Sequence, residues 1–247
     1  MDSLALLWDG VWLRWLAPSS NEVAHREISR KDMVPEVLRA LRNQVGSGTQ
    51  VLAAEWGVPC TLTPQALTQE ERYAEVLVQA HDLHHGLSVS DQRMVHHTLM
   101  EDIDPACHIS VSGSADWAQA LDAIFPQAQR ASVSQALMQD ALHWNRTVPH
   151  QGWSFRVDVR EQGAHMVALQ GEKIQWAHHL TEGAVADDVL YAMVNACHRG
   201  GGEVKDARIR WSGDAEWTKG WSRFFDLECQ GDSDGWMALF QSLSLCA

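Results

Sequence analysis

The stretch Leu6-Leu7-Trp8-Asp9-Gly10-Val11-Trp12-Leu13-Arg14-Trp15-Leu16 sets two apolar runs on either side of an Asp-Gly pair. Asp-Gly between alternating apolar residues is a strong hairpin signal, because both residues tolerate the positive φ of a type I′ turn. A two-residue loop at Asp9-Gly10 sets Trp8 opposite Val11, Leu6 opposite Leu13 and Leu4 opposite Trp15, all on one face. Ala5, Leu7, Trp12 and Arg14 fall on the other face. The hairpin reads as a strand pair packed beneath a helix.

Working outward, a third extended segment, EVAHREIS (residues 22–29), follows a Pro-Ser-Ser-Asn loop. A helix then starts near Ser29 or Asp32, with an apolar stripe of Val34, Val37, Leu38, Leu41 and Val45, Pro35 in its first turn and Gly46 to end it. QVLAAEW (residues 50–56) reads as a buried strand. After residue 150 the same order returns: WSFRVDV (153–159), a turn through Gly163, HMVALQ, a turn at Gly171-Glu172, and KIQWAHHL (173–180). A helix carrying Val189, Leu190, Met193, Val194 and Cys197 on one face follows, then Gly200 to Gly202 and ARIRWSG (207–213). The pattern is a duplicated β-β-β-α-β unit, resting on element order without residue identity between the halves. Between the units lie a helix over about 69–85, a strand at 108–113, and helices over 114–125 and about 132–145. Ser114 is placed to cap the second of these helices and Pro126 to stop it. The fold class is therefore α/β, with lobes at residues 1–148 and 149–247 that divide near Asn145 to Gly152.

With 247 residues and 45% hydrophobic composition, the chain can bury a large core without staples. Its five cysteines are odd in number, dispersed and free of any C-x-x-C pair, which points to neither a disulfide framework nor a zinc knuckle and fits a reducing cytoplasm. No stretch approaches the ~20 apolar residues of a membrane span, and the N-terminus lacks a basic region and cleavage site. A formal charge of -13 with no Lys/Arg cluster argues against nucleic acid as a direct partner. Twelve tryptophans read first as core packing, and second as contact surface for an aromatic ligand or protein partner.

Four stretches, CTLTPQALTQEERYAEVL, LSVSDQRM, DDVLYAMVNA and ARIRWSGD, together with the duplicated unit, carry a family resemblance. The chain resembles an uncharacterised Bacteroidetes family of domains of unknown function with an actin-like fold. That fold belongs to the ASKHA superfamily, which includes actin, heat-shock chaperones, sugar kinases and pilus-assembly ATPase-like proteins. The resemblance implies a two-lobed, RNase H-like architecture, and in nucleotide-binding members an ATP and magnesium site. There the first hairpin turn is D-x-G-[ST], whose backbone N–H groups and hydroxyl hold phosphates and whose Asp helps position the metal.

Carried onto this sequence, that site falls on Asp9, Gly10, Asp158, Gly163, Ser212 and Gly213, and each part departs from the pattern. Asp9 and Gly10 are adjacent and Val11 follows, so the turn is short and lacks the hydroxyl. The second turn, DVREQGAH, puts Glu161 where a phosphate would sit. Ser212-Gly213-Asp214 keeps one glycine of the pair that admits adenosine, and Asp214 reads as a helix N-cap. His81, His84 and His85 are spaced i, i+3 and i+4, as for a transition metal, yet they crowd the end of a helix closed by Gly86, where the dipole favours them. The His81-Asp82 doublet matches HD phosphohydrolases only at chance level, and there is no G-x-S-x-G elbow or cysteine-protease signature. The expectation is a non-catalytic scaffold with no cofactor and no resident metal, binding an unknown protein partner or itself. The alternative is a cryptic ATP-binding or phosphotransfer protein.

Overall fold

Strands β1 (Leu4–Trp8) and β2 (Trp12–Leu16) form the expected hairpin, with its loop one residue later than Asp9-Gly10. Trp8 pairs with Leu13 and Leu6 with Trp15, so the loop is Gly10-Val11. A type I′ turn would need Asp9 at positive φ, but among the described residues Ser19 is the sole non-glycine there. Gly10, at φ 93°, takes that conformation instead. Positive then negative φ is the type II′ pattern. Asp9 stabilises it by accepting from Val11 N–H at 3.0 Å and Trp12 N–H at 2.6 Å. The pairing has slipped by two residues, which preserves side-chain parity. Leu4, Leu6, Trp8 and Leu13 therefore still share one core, while Val11 is exposed.

The computed structural model describes residues 3–246 except 31–32, 47, 69–72, 87–92, 102, 104, 182 and 231–234. Strand β3 (Ala24–Glu27), helix α1 (Val34–Val45) and strand β4 (Val51–Glu55) complete the first unit. An insertion follows: β5 (Cys60–Pro64), α2 (Tyr73–His85), β6 (Arg93–Met100) and β7 (Cys107–Ser114), whose strands form a separate antiparallel sheet ordered β5-β7-β6. The expected starts of α1 at Asp32 and of α2 at Gln69 lie outside the described residues. Helix α3 (Ala115–Ile124) is capped by the Ser114 hydroxyl, β8 (Gln129–Arg130) follows, and α4 (Val133–Thr147) is capped by Ser132. The second half runs β9 (Trp153–Arg160), β10 (Gly163–Gln170), β11 (Lys173–Leu180), α5 (Ala186–Arg199), β12 (Arg208–Gly213), β13 (Asp226–Cys229) and α6 (Trp236–Ser244).

The two main sheets have the same topology, β3-β2-β1-β4-β8 and β11-β10-β9-β12-β13. In each, the first three strands are antiparallel and the next two parallel. The duplication thus extends past the β-β-β-α-β pattern, to a fifth strand and a closing helix, α4 in one half and α6 in the other.

Strand alternation divides the core into layers. Even residues of β1 (Leu4, Leu6, Trp8) face α1 and α3. Odd residues (Ala5, Leu7) face inward, where they join Leu137, Ala141 and Met138 of α4, Leu239 and Phe240 of α6, and Val167 and Leu169 of β10 in a single core. Helix α4 packs on β9, β10 and β11 of the second sheet and against α6, so the two closing helices lie between the sheets. In β9 the alternation separates chemistry: Phe155, Val157 and Val159 enter the apolar core under α5, and Ser154, Arg156, Asp158 and Arg160 are buried on the opposite face.

Gly213 has φ 102°, and a Cβ there would lie 1.9 Å from the Val159 carbonyl oxygen, whereas Gly10, at φ 93°, has open space around it. Gly10→Ala should cost about 1–2 kcal/mol, the strain of left-handed backbone alone. Gly213→Ala should cost more than twice as much in urea denaturation. Equal losses would contradict this packing.

Candidate functional site

The two hairpin turns face one another across a crevice of about 320 Å³ lined by Trp12 and Arg14 of β2, Arg160, Glu161 and Gln162 of the second turn, Gly213 and Asp214 after β12, and Trp236. Trp236 ties its two sides together. The Trp236 indole lies against both the Arg14 guanidinium, 3.8 Å from the ring centroid, and the Arg160 guanidinium, at 3.6 Å. Each arginine has its own carboxylate: Arg14 pairs with Asp9 and Arg160 with Asp158. The result is a charge-balanced row, Asp9, Arg14, Trp236, Arg160, Asp158, running from one hairpin to the other. Cation–π contacts of this kind gain when desolvated, and planar guanidinium suits them better than ammonium.

Asp158 is fully buried and saturated. Its Oδ1 accepts from Arg160 Nη2 at 2.7 Å and Ser212 Oγ at 2.8 Å, and its Oδ2 from Arg160 Nε at 3.0 Å and Trp56 Nε1 at 2.9 Å. The network continues inward. Arg156 Nη1 donates to Ser212 Oγ at 3.0 Å, and Arg156 Nε to Asp140 of α4 at 2.5 Å. Ser242 of α6 also donates to Asp140. Such a network is tolerable only because each charge is matched, since breaking one buried pair leaves an uncompensated ion.

Five of the six residues of the expected nucleotide site, all but Gly10, therefore have structural partners. Asp9 holds its own turn and Arg14; Asp158 and Ser212 belong to the network. Gly10 sits at the exposed turn. Gly163 lies in the first residue of β10 rather than in the turn, which is formed by Glu161 and Gln162, and a Cβ on it would meet the Leu180 carbonyl oxygen at 2.1 Å. Gly213 is packed under Val159, and Gly235, at the start of α6, approaches Gly213 so closely that a Cβ would lie 2.2 Å from its nitrogen. Asp214 caps the short helical turn Ala215–Thr218 by accepting from Glu216 N–H, as its sequence position suggests.

The histidines form a separate seam where the insertion meets β10 and β11. His85 Nε2 faces the Cys60 carbonyl at 3.0 Å, so it carries the proton and donates. Thr61 Oγ1 lies 2.9 Å from His81 Nδ1 and 3.1 Å from His85 Nε2. His84 is exposed. Gly57 N–H donates to His165 Nε2, leaving the His165 proton on Nδ1, 3.2 Å from Ser134 Oγ. Ser134 in turn bonds Cys60, whose thiol burial pushes up to about 11, so this buried Cys-Ser-His chain offers no nucleophile at neutral pH. His165 and His179 stack with centroids 4.4 Å apart, and Trp56 meets both edge-on. Among the described residues, no group of three or more His, Cys, Asp or Glu is arranged to hold a metal ion.

The chain has the actin-like ATPase fold. It is similar over 99% of its length to 95% of a Bacteroides thetaiotaomicron protein with an actin-like ATPase fold and unknown function, at a TM-score of 0.75 and 13% identity. It is also similar over 98% of its length to 90% of a chain in the PilM-PilN type IV pilus biogenesis complex, at a TM-score of 0.54 and 10% identity. At such identities the likeness establishes the fold alone. No protein-family model and no curated protein matches the sequence.

Sequence reasoning missed Trp236, Arg14 and Arg160 as crevice residues. One signal was available: Asp158 and Arg160 are two apart on a strand, hence on one face. Nothing local linked Trp236 to either hairpin.

The seam predicts a pH dependence. Burial, then neighbouring histidines, lowers His179 from 6.5 to about 4 and His165 well below 6.5. His81 falls to about 4 by burial and His85, with Asp82 opposing and Arg93 and His97 adding to the shift. His85 and His178 are lowered in the same sense. The unfolded chain then binds more protons than the folded one, so stability is intact above about 6.5 and lost as pH falls towards 4. Each proton taken up on unfolding steepens that loss by about 1.4 kcal/mol per pH unit. Urea titrations should show a flatter slope for His165→Gln combined with His179→Gln. An unchanged slope would place the titration elsewhere.

Proposed function

We propose that this chain is a non-catalytic actin-like protein of the cytoplasm, with lobes at residues 1–148 and 149–247, that serves as a protein-interaction scaffold. In this reading it belongs with the Bacteroidetes family its sequence resembles, and its nucleotide site is degenerate. The observation that carries the proposal is that the groups a nucleotide would use at the crevice already have partners within the chain. Phosphates bind where backbone N–H groups converge on empty space, and Asp9 already takes those of Val11 and Trp12. Magnesium takes carboxylate oxygens, and both oxygens of Asp158 are engaged. Adenosine would need the space where Gly235 seats α6 on Gly213. The competing reading, cryptic ATP binding or phosphotransfer, requires Asp9 or Asp158 to exchange these partners for metal or phosphate.

Contact material lies elsewhere. None of the twelve tryptophans is exposed and seven are buried, so they serve packing first. Among the described residues, four of the ten large exposed apolar side chains lie on the insertion: Leu67, and Tyr73, Val76 and Leu83 along one side of α2. Leu83 is 86% exposed, which supports a face that another protein or a second copy covers. That PilM is found with PilN agrees with an interaction role for this fold.

Thermal melts with magnesium and ATP test the proposal. A native-state ligand at 100 times its Kd adds about 2.7 kcal/mol, which for a chain of this size is a shift of roughly 5–10 °C. The scaffold reading expects no shift at millimolar ATP. A shift that Asp9→Ala abolishes would overturn it.

A further inference from the structure

On the outer side of the second sheet, a groove of about 510 Å³ runs between α5 and the edge strand β11. It exists because the residues that α5 turns towards β11 are small: Ala192 and Ala196, one turn apart, and Gly200 just beyond the helix, with Ala177 opposite. The floor is aromatic. Trp153 stacks on Phe155 at 5.9 Å, and Trp176 leans on the same ring at 6.1 Å.

Three features define what such a groove would hold. First, the Trp153 ring is fixed in place under Gly200 and Gly202, where a Cβ would lie 2.2 and 2.7 Å from it. Second, Arg199 lines the groove and makes no ion pair among the described residues, while Gln170, Gln175 and Asn195 add amide donors and acceptors. Third, among the described residues no Asp or Glu lines the groove, although the chain carries 32 of them against 19 Lys and Arg. A cationic ligand would find no counter-charge there. An anion would find a guanidinium and an aromatic floor for a flat ring. The volume lies within the range of small-molecule sites, roughly 300–1,000 Å³.

We propose that the groove between α5 and β11 is a binding site for a small, ring-bearing organic monoanion of the aromatic carboxylate class. Arg199 meets the carboxylate, and the Trp176 side of the floor takes the ring. This site is separate from the crevice and does not depend on the scaffold reading.

Isothermal titration with a matched set of probes tests it: 1-naphthoate, 1-naphthylmethylammonium with the same ring and opposite charge, and acetate with the charge and no ring. The proposal expects 1-naphthoate to bind at one site, at least about tenfold more tightly than the ammonium probe, with acetate showing no heat. Arg199→Gln, at an exposed position, should bring the affinity for naphthoate down to that for the ammonium probe. Ala192→Leu should fill the groove and abolish binding while the melting temperature holds. Equal affinity for the two naphthyl probes, naphthoate binding that survives Ala192→Leu, or no binding of naphthoate at all would overturn the proposal.

Discussion

The structure turns on one contact, the indole of Trp236 held between the guanidiniums of Arg14 and Arg160. Trp236 is the first residue of the last helix, Arg14 lies on the first hairpin and Arg160 ends the first strand of the second sheet. Three parts of the chain that are far apart in sequence are thereby tied at one point. Arg160 also donates to the Gly235 carbonyl at 3.2 Å, which fixes where α6 begins. With α6 placed, Leu239 and Phe240 reach the core shared by both sheets.

The contact is stable because the charges behind it are balanced before they meet the indole. Asp9 neutralises Arg14, and Asp158 neutralises Arg160 while accepting from Trp56 and Ser212. Beyond Ser212 the network reaches Arg156 and Asp140. An apolar replacement of similar volume can match the stability of a buried ion network, so its presence is not explained by stability alone. What the network does supply is direction. Guanidinium and carboxylate fix orientation in a way that leucine packing does not, and here they orient two sheets and two closing helices about a single crevice. At the crevice between the duplicated hairpins, the charged groups are paired with one another across the Trp236 ring.

Much of the fold was legible in the sequence because it depends on local periodicity. The stripe from Val34 to Val45, the cap at Ser114, and the matching strand orders on either side of residue 150 all follow from spacing and hydrogen-bond chemistry. The hairpin register was misplaced because Asp-Gly signals a turn without stating which φ signs the pair will take, and that choice depends on where the Asp carboxylate finds donors. Strands β5 and β6 went unassigned, since the half-buried pattern of RMVHHTLM has neither helical nor clean strand alternation. The second turn and the Gly213-Asp214 step, which the sequence singled out, do line one crevice, and the departures at Val11, Glu161 and Asp214 were visible. The residues that tie it together were not, because Trp236 reaches Arg14 across more than 200 positions of sequence and no local pattern encodes such a contact.

The most direct measurement is an experimental structure of the protein crystallised with magnesium and a non-hydrolysable ATP analogue in excess. The account predicts Trp236 between Arg14 and Arg160, Asp158 bonded to Arg160, Ser212 and Trp56, and no nucleotide between the hairpin turns. A nucleotide bound in the crevice, with Trp236 swung out and a metal ion on Asp9 or Asp158, would contradict it.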